Sequence, residues 1–142
     1  MNRFVLDTDV IVAAMRSPSG ASAALLDAAL NRRLTMLASV PLFFEYEAKC
    51  TSPVHWTAAG LSRKQSEIFV DGLVALIEPV KTHFLWRPML RDPNDEMVLE
   101  VAVNGGAEAI VTFNLRDYGT VSEKFNIEVI IPAVAIRRVR NE

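Results

Sequence analysis

Four carboxylates stand where the chain is about to change direction: Asp7, Glu45, Asp95, and Asp117 close behind Asn114. None has a lysine, a second histidine or a thiolate as an evident partner. Carboxylates in that condition suit hard divalent cations, Mg²⁺ or Mn²⁺, which take oxygen ligands. Two such ions, ~3.5–4 Å apart, activate a water and steady a leaving oxygen in phosphodiester cleavage. Covalent chemistry has no comparable candidate. Cys50 lacks an activating partner, and neither histidine has an acid paired with it in sequence. No Walker-type loop, dinucleotide glycine pattern or nucleophile elbow competes. The residue types reach as far as an acidic, metal-dependent site.

The elements that must position these acids can be read around them. Phe4-Val5-Leu6 is a short apolar strand running straight into Asp7-Thr8-Asp9, after which Val10–Met15 starts a helix. This is a strand–turn–helix junction, where α/β proteins bind ligands. Of the two aspartates, Asp9 is expected to cap the helix and Asp7 to serve as ligand. Ser39 caps a helix from Pro41 to about Lys49, in which Leu42, Phe43, Phe44 and Tyr46 surround Glu45. Such a glutamate either lies on a solvent edge, as lone helical glutamates mostly do, or is held inward by something positive, since desolvation without a compensating cation raises its pKa. Asp92-Pro93 opens a third helix, aspartate capping and proline at its first position. Asp95 falls in its first turn, in register with Val98, Leu99 and Ala102. Gly105-Gly106 ends that helix, and Ala109-Ile110-Val111 is a buried strand delivering Thr112, Asn114 and Asp117 at its exit.

The remaining elements alternate in the same way. Helices are expected over Ala21–Leu34, with Arg32-Arg33 near its end complementing the helix dipole, and over Arg63–Ile77 behind a Ser62 cap. Short helical pieces are expected at Val121–Phe125 and Ala133–Arg140. Strands are expected at Thr35–Ala38, Val80–Leu85 and Ile127–Ile131, and Ser52–Gly60, carrying His55, reads as a loop. Alternating strands and helices predict a parallel α/β sandwich. A length of 142 residues and 51% hydrophobic content suit one domain over 1–142 with a packed core. Neither a signal peptide nor a bilayer-spanning run is present, and the single cysteine excludes an internal disulfide; a cytoplasmic protein is expected. The formal charge of −2 does not exclude a nucleic acid. With four acids committed to metal it becomes +2, and basic residues cluster at Arg32-Arg33, Arg63-Lys64 and Arg137-Arg138. Apolar stripes between Ala21 and Ile77 exceed what one small sheet needs, which predicts a homodimer.

Leu6-Asp7-Thr8-Asp9-Val10, Phe44-Glu45-Tyr46, Asp92-Pro93-Asn94-Asp95 running to Ala102, and Val111 to Tyr118 together resemble the PIN domain. More narrowly, they are similar to the toxin components of bacterial toxin–antitoxin pairs. The motifs occur in order over nearly the whole chain. The resemblance implies a three-layer α/β/α fold with a central parallel sheet, and a Mg²⁺- or Mn²⁺-dependent endoribonuclease with an antitoxin partner. It carries the acids onto Asp7, Glu45 and Asp95, and a hydroxyl onto Thr112. The chain departs from the pattern at Asp9, where asparagine is frequent. It departs again at Asn114, where aspartate is frequent, which passes the fourth acid to Asp117.

Two other readings compete. Asp7-Thr8-Asp9-Val10 also fits the opening of haloacid-dehalogenase-type phosphohydrolases, although no acidic pair follows Lys124. A catalytically degraded PIN-like binding module would be signalled by Asn114.

Overall fold

The computed structural model describes residues 1–83 and 90–141. Five strands form one parallel sheet in the order β3-β2-β1-β4-β5, with β1 Asn2–Leu6, β2 Leu34–Ala38, β3 Ile77–Pro79, β4 Ala109–Val111 and β5 Glu128–Ile130. Among the described residues eight α-helices cover it: α1 Thr8–Arg16, α2 Ala21–Leu30, α3 Val40–Cys50, α4 Pro53–Ala58, α5 Arg63–Val74, α6 Pro93–Gly105, α7 Val121–Phe125 and α8 Pro132–Arg140. The result is the expected three-layer α/β/α sandwich.

The central strands are buried on both sides because helices close both faces of a parallel sheet. Phe4, Val5, Leu6, Ala109, Ile110 and Val111 are all fully buried. The chain lays down β1, β2 and β3 outward in one direction, then returns to place β4 on the other side of β1. That reversal opens a crevice beyond the carboxyl ends of β1 and β4, the usual ligand position in such sheets. Register brings the two strand ends level. Leu6 pairs with Val111, so Asp7 and Thr112 emerge side by side, and the Asp7 N–H extends the pairing by donating to the Val111 carbonyl at 2.9 Å.

Several expectations need correction. The Val80–Leu85 strand is not formed over residues 80–83, and 84–85 lie outside the described residues. The strand is Ile77–Pro79, and α5 stops at Val74 rather than Ile77. Pro79 had the look of a helix stop, but β3 is an edge strand, where a missing N–H costs nothing. Ser52–Gly60 contains a helix, α4, because Ser52-Pro53 is an N-cap and first-turn proline rather than loop punctuation. The second helix ends at Leu30, not Leu34: Arg32 adopts a left-handed backbone (φ 58°) and Leu34 already begins β2. Arg32-Arg33 therefore belong to a turn.

Two adjacent glycines close α6 for different reasons. Gly106 holds the left-handed C-cap conformation (φ 63°) with open space around it. A Cβ on Gly105 would stand 2.9 Å from Val80 Cγ2 and 3.2 Å from Leu37 Cδ1. Gly105→Ala should lower the urea midpoint through overpacking worth about 1–3 kcal/mol, offset in part by a helix-propensity gain of up to about 1 kcal/mol. Gly106→Asn should stay near wild type, since asparagine tolerates that backbone. Equal losses for Gly105→Asn and Gly106→Asn would refute the distinction.

Candidate active site

Asp7 is the best-determined side chain of the crevice. It sits at the N-cap of α1 with extended backbone, and its Oδ1 accepts the Thr8 N–H at 2.7 Å. Its Oδ2 accepts two hydroxyls, from Thr112 at 2.8 Å and Tyr118 at 2.9 Å. Three of roughly four carboxylate lone-pair sites are thereby occupied. One remains for a ligand. Burial raises the pKa of Asp7, the three donors counter that, and the charge of Asp117 adds to it.

The expected cap at Asp9 needs correction. Asp7 is the cap, and Asp9 instead reaches across to the exit of β4. Its Oδ2 accepts the Phe113 N–H at 3.2 Å and the Asn114 side-chain amide at 3.0 Å. Capping and ligation do not exclude each other, so the sequence contrast between the two aspartates was a false choice. The other oxygen, Oδ1, is buried and has no hydrogen-bond partner among the described residues. Burial first, then Asp7, pushes Asp9 up to about 6.

From the opposite side of the chain reversal, α6 supplies Asp95. Asp92 caps that helix as expected, its Oδ1 accepting the Asn94 N–H at 2.8 Å. Asp95 is 7% exposed, and its Oδ1 stands 3.4 Å from the Tyr118 hydroxyl. Burial, followed by the charges of Asp7, Asp92 and Asp117, pushes it up to about 7. Both α1 and α6 direct their N-termini at the crevice. Helix dipoles there favour negative charge by ~0.3–1 kcal/mol each, partial relief for acids this close.

Glu45 is half-buried on α3, and Oε1 accepts the Asn94 side-chain amide at 3.1 Å. Its neighbour explains its aim. Tyr46 is fully buried and donates its hydroxyl to the Leu6 carbonyl at 2.5 Å, pinning α3 to the end of β1. Asp117 is exposed in a 3-10 turn, Leu115–Tyr118, and lines the crevice. Thr112 is wholly buried, so it acts through Asp7 rather than on any ligand. The Asn114 N–H donates to Thr112 Oγ1 at 3.0 Å, so asparagine at this position locks the β4 exit. Together Asp7, Asp9, Glu45, Asp92, Asp95 and Asp117 line one cleft of about 580 Å³.

Sequence reasoning missed Tyr118, Tyr46 and Asn94. Tyr118 is fully buried, and a buried tyrosine needs a partner for its hydroxyl. Tyr46 shares the Leu42 and Cys50 face of α3, an apolar stripe that already placed it inside. Cys50 stays inert, since burial pushes its thiol up to about 12.

Among the described residues no three His, Cys, Asp or Glu side chains already enclose a metal position. The acids face a shared cleft without forming a closed cage. The donor set still fits a hard cation: every candidate ligand is an oxygen, Asp7 keeps an open lone pair, and Asp9 holds an unpartnered buried one. Burial first, and then the charges of neighbouring acids, raise Asp95 and Asp9, and a cation at the cleft would offset both.

Fold and site thus define a class: a parallel α/β protein with strand-end and helix-start carboxylates gathered at the reversal of its sheet. The PIN domain family matches residues 3–116, and the chain belongs to that family. PIN domains are generally nucleases and typically depend on a divalent cation. Among solved structures, the chain is similar to one in the crystal structure of VapBC2 from Rickettsia felis bound to a DNA fragment from their promoter. The TM-score is 0.61 at 15% identity, covering 91% of this chain and 98% of that one, a likeness of fold. No curated protein sequence matches it.

A pH dependence follows from Asp95. Its folded pKa, about 7, lies above the unfolded value near 3.8. The folded state therefore binds more protons between those values, and stability falls as pH rises through that window. Without divalent cation, Asp95→Asn should raise the melting temperature at pH 8 by about 3–5 °C, on the order of 1 kcal/mol. It should change little at pH 4. A loss of stability at pH 8 would contradict this electrostatic account.

Proposed function

We propose that this protein is a Mg²⁺- or Mn²⁺-dependent endoribonuclease, the toxin of a toxin–antitoxin pair. The observation that carries the reading is the Tyr118 hydroxyl. It stands within hydrogen-bonding range of both Asp7 and Asp95, acids from elements 88 positions apart in sequence. Asp117 is near enough for its charge to raise both. Asp7, Asp95, Glu45 and Asp117 would hold the cation, with Asp9 Oδ1 available beside them. Bound there, it lowers the pKa of water and neutralises charge developing on phosphate oxygens.

The chain's own residues prepare that chemistry. Thr8, Thr112 and Tyr118 orient Asp7 so that a single lone pair remains open. Asn94 turns Glu45 into the cleft, and Asn114 holds Asp9 against the β4 exit. Water attack at phosphorus with rupture of the P–O3′ bond leaves a 5′-phosphate and a 3′-hydroxyl.

Partners follow from the same reading. An antitoxin is supported by the fold likeness to a VapBC2 chain. A homodimer is supported by apolar side chains left outside, Leu30 at 66% and Ile68 at 60% exposure. Sedimentation at micromolar concentration tests the dimer, and a monomer would remove it. Among the described residues no helix is long and apolar enough to cross a membrane; cytoplasmic action on RNA is proposed with the nuclease.

Two measurements test the activity. RNA hydrolysis should require Mg²⁺ or Mn²⁺, stop with EDTA and disappear in Asp7→Asn with folding retained. A 2′,3′-cyclic phosphate product, or full activity in EDTA, would overturn the mechanism. Within the α6 start, Asp92→Asn should keep most activity and most stability, because asparagine caps a helix about as well as aspartate. Asp95→Asn should abolish activity, and the reverse ranking would exchange their roles.

A further inference from the structure

The cleft has a second wall that hydrolysis leaves unused. Asp9, Val12, Ala13 and Arg16 succeed one another at helical spacing on α1 and all line it. At ~1.5 Å rise per residue, Arg16 stands roughly 10 Å along the helix from Asp9. Lys49, in the last turn of α3, and His55, on α4, line the cleft as well, and α4 packs against both α1 and α3. Arg16 and Lys49 are exposed, and among the described residues neither forms an ion pair, although six acids line the same cleft. Cations left unneutralised so near to acids are available to an anion from outside. His55 adds a buried Nδ1 with no hydrogen-bond partner.

Beside the acids stands Phe113. It lines the cleft and is 51% exposed. Its backbone is not free: the N–H donates to Asp9, Thr112 before it is buried, and Asn114 after it is tied to Asp9. A large apolar ring held in water on a fixed backbone contributes nothing to the core. It offers a flat face instead. Aromatic faces take nucleic-acid bases only when those bases are unstacked and unpaired.

We propose that this wall is a nucleotide subsite for an unpaired RNA strand. One base stacks on Phe113, and the neighbouring phosphate is held by Arg16 and Lys49, with the His55 imidazole alongside. The assignment rests on the ribonuclease reading above. It adds that Phe113 selects unpaired RNA, and that Arg16 and Lys49 place two positive charges on one wall of a cleft otherwise rich in acids.

The test is equilibrium binding by fluorescence anisotropy in Mg²⁺, using the full chain with Asp95→Asn to prevent cutting. The probes are a short fluorescein-labelled unpaired RNA and the same strand annealed to its complement, each across a salt series. The unpaired strand should bind more tightly than the duplex. Phe113→Ala should weaken it at least about fivefold, while Phe113→Tyr should retain affinity. Arg16→Ala and Lys49→Ala should each reduce the slope of log K against log salt by about 0.7. Parental affinity and slope in Phe113→Ala and in the double cation variant would overturn the subsite. So would a change in sedimentation in Phe113→Ala without loss of RNA affinity, which would make the ring a protein contact. If wild type cuts RNA yet these substitutions leave binding unchanged, only the subsite fails. If wild type cuts no RNA and the Asp95→Asn chain binds none, the ribonuclease reading and the subsite fall together.

Discussion

A carboxylate buried to 6% exposure at the centre of the crevice is the constraint on which the rest depends. An uncompensated buried charge is expensive, and one deprived of its partners costs several kcal/mol. Asp7 is kept by donors from three separate places: the start of α1, the end of β4 and the 3-10 turn beyond it. Each must arrive correctly for the charge to be tolerated. The alignment of Leu6 with Val111 is therefore more than sheet pairing. A one-residue slip would turn Thr112 to the other face and remove a donor. Folding and site assembly are the same event at this point.

The wider architecture follows from the order of the sheet. Laying β4 on the far side of β1 opens the crevice, and the same step brings the N-terminus of α6 to face that of α1. Two positive helix ends then meet where aspartates are concentrated. The Tyr46 hydroxyl on the Leu6 carbonyl carries α3 to the same place and Glu45 with it. Acids from α1, α3, α6 and the 3-10 turn share one cleft because each element is fastened at its end near β1.

The relief is incomplete. Asp95 and Asp9 are pushed up to about 7 and about 6 by burial and by one another's neighbours. A protein selected only for stability would replace such a cluster with neutral groups. Perturbed acids gathered in one cleft mark it as a candidate functional site. Arg16 and Lys49 line the same cleft, and among the described residues neither forms an ion pair with these acids.

Local signals were legible in the chain itself. Ser39, Ser62 and Asp92 cap their helices because a short polar side chain satisfies the first N–H groups wherever it stands. The uninterrupted apolar runs at Phe4–Leu6 and Ala109–Val111 announced central parallel strands, and the polar residues at their exits marked a candidate site. Those are properties of residues and their immediate neighbours. What lay beyond reach depends on partners far away in sequence. Whether Pro79 stops a helix or ends an edge strand is decided by β2 alongside it. Asp7 and Asp9 are two residues apart and chemically identical, and only Thr112, Phe113, Asn114 and Tyr118, more than a hundred positions later, tell them apart. Tyr118 itself could not be recognised as the link between two acids, because the distance that makes it one exists only after β4 has been laid against β1.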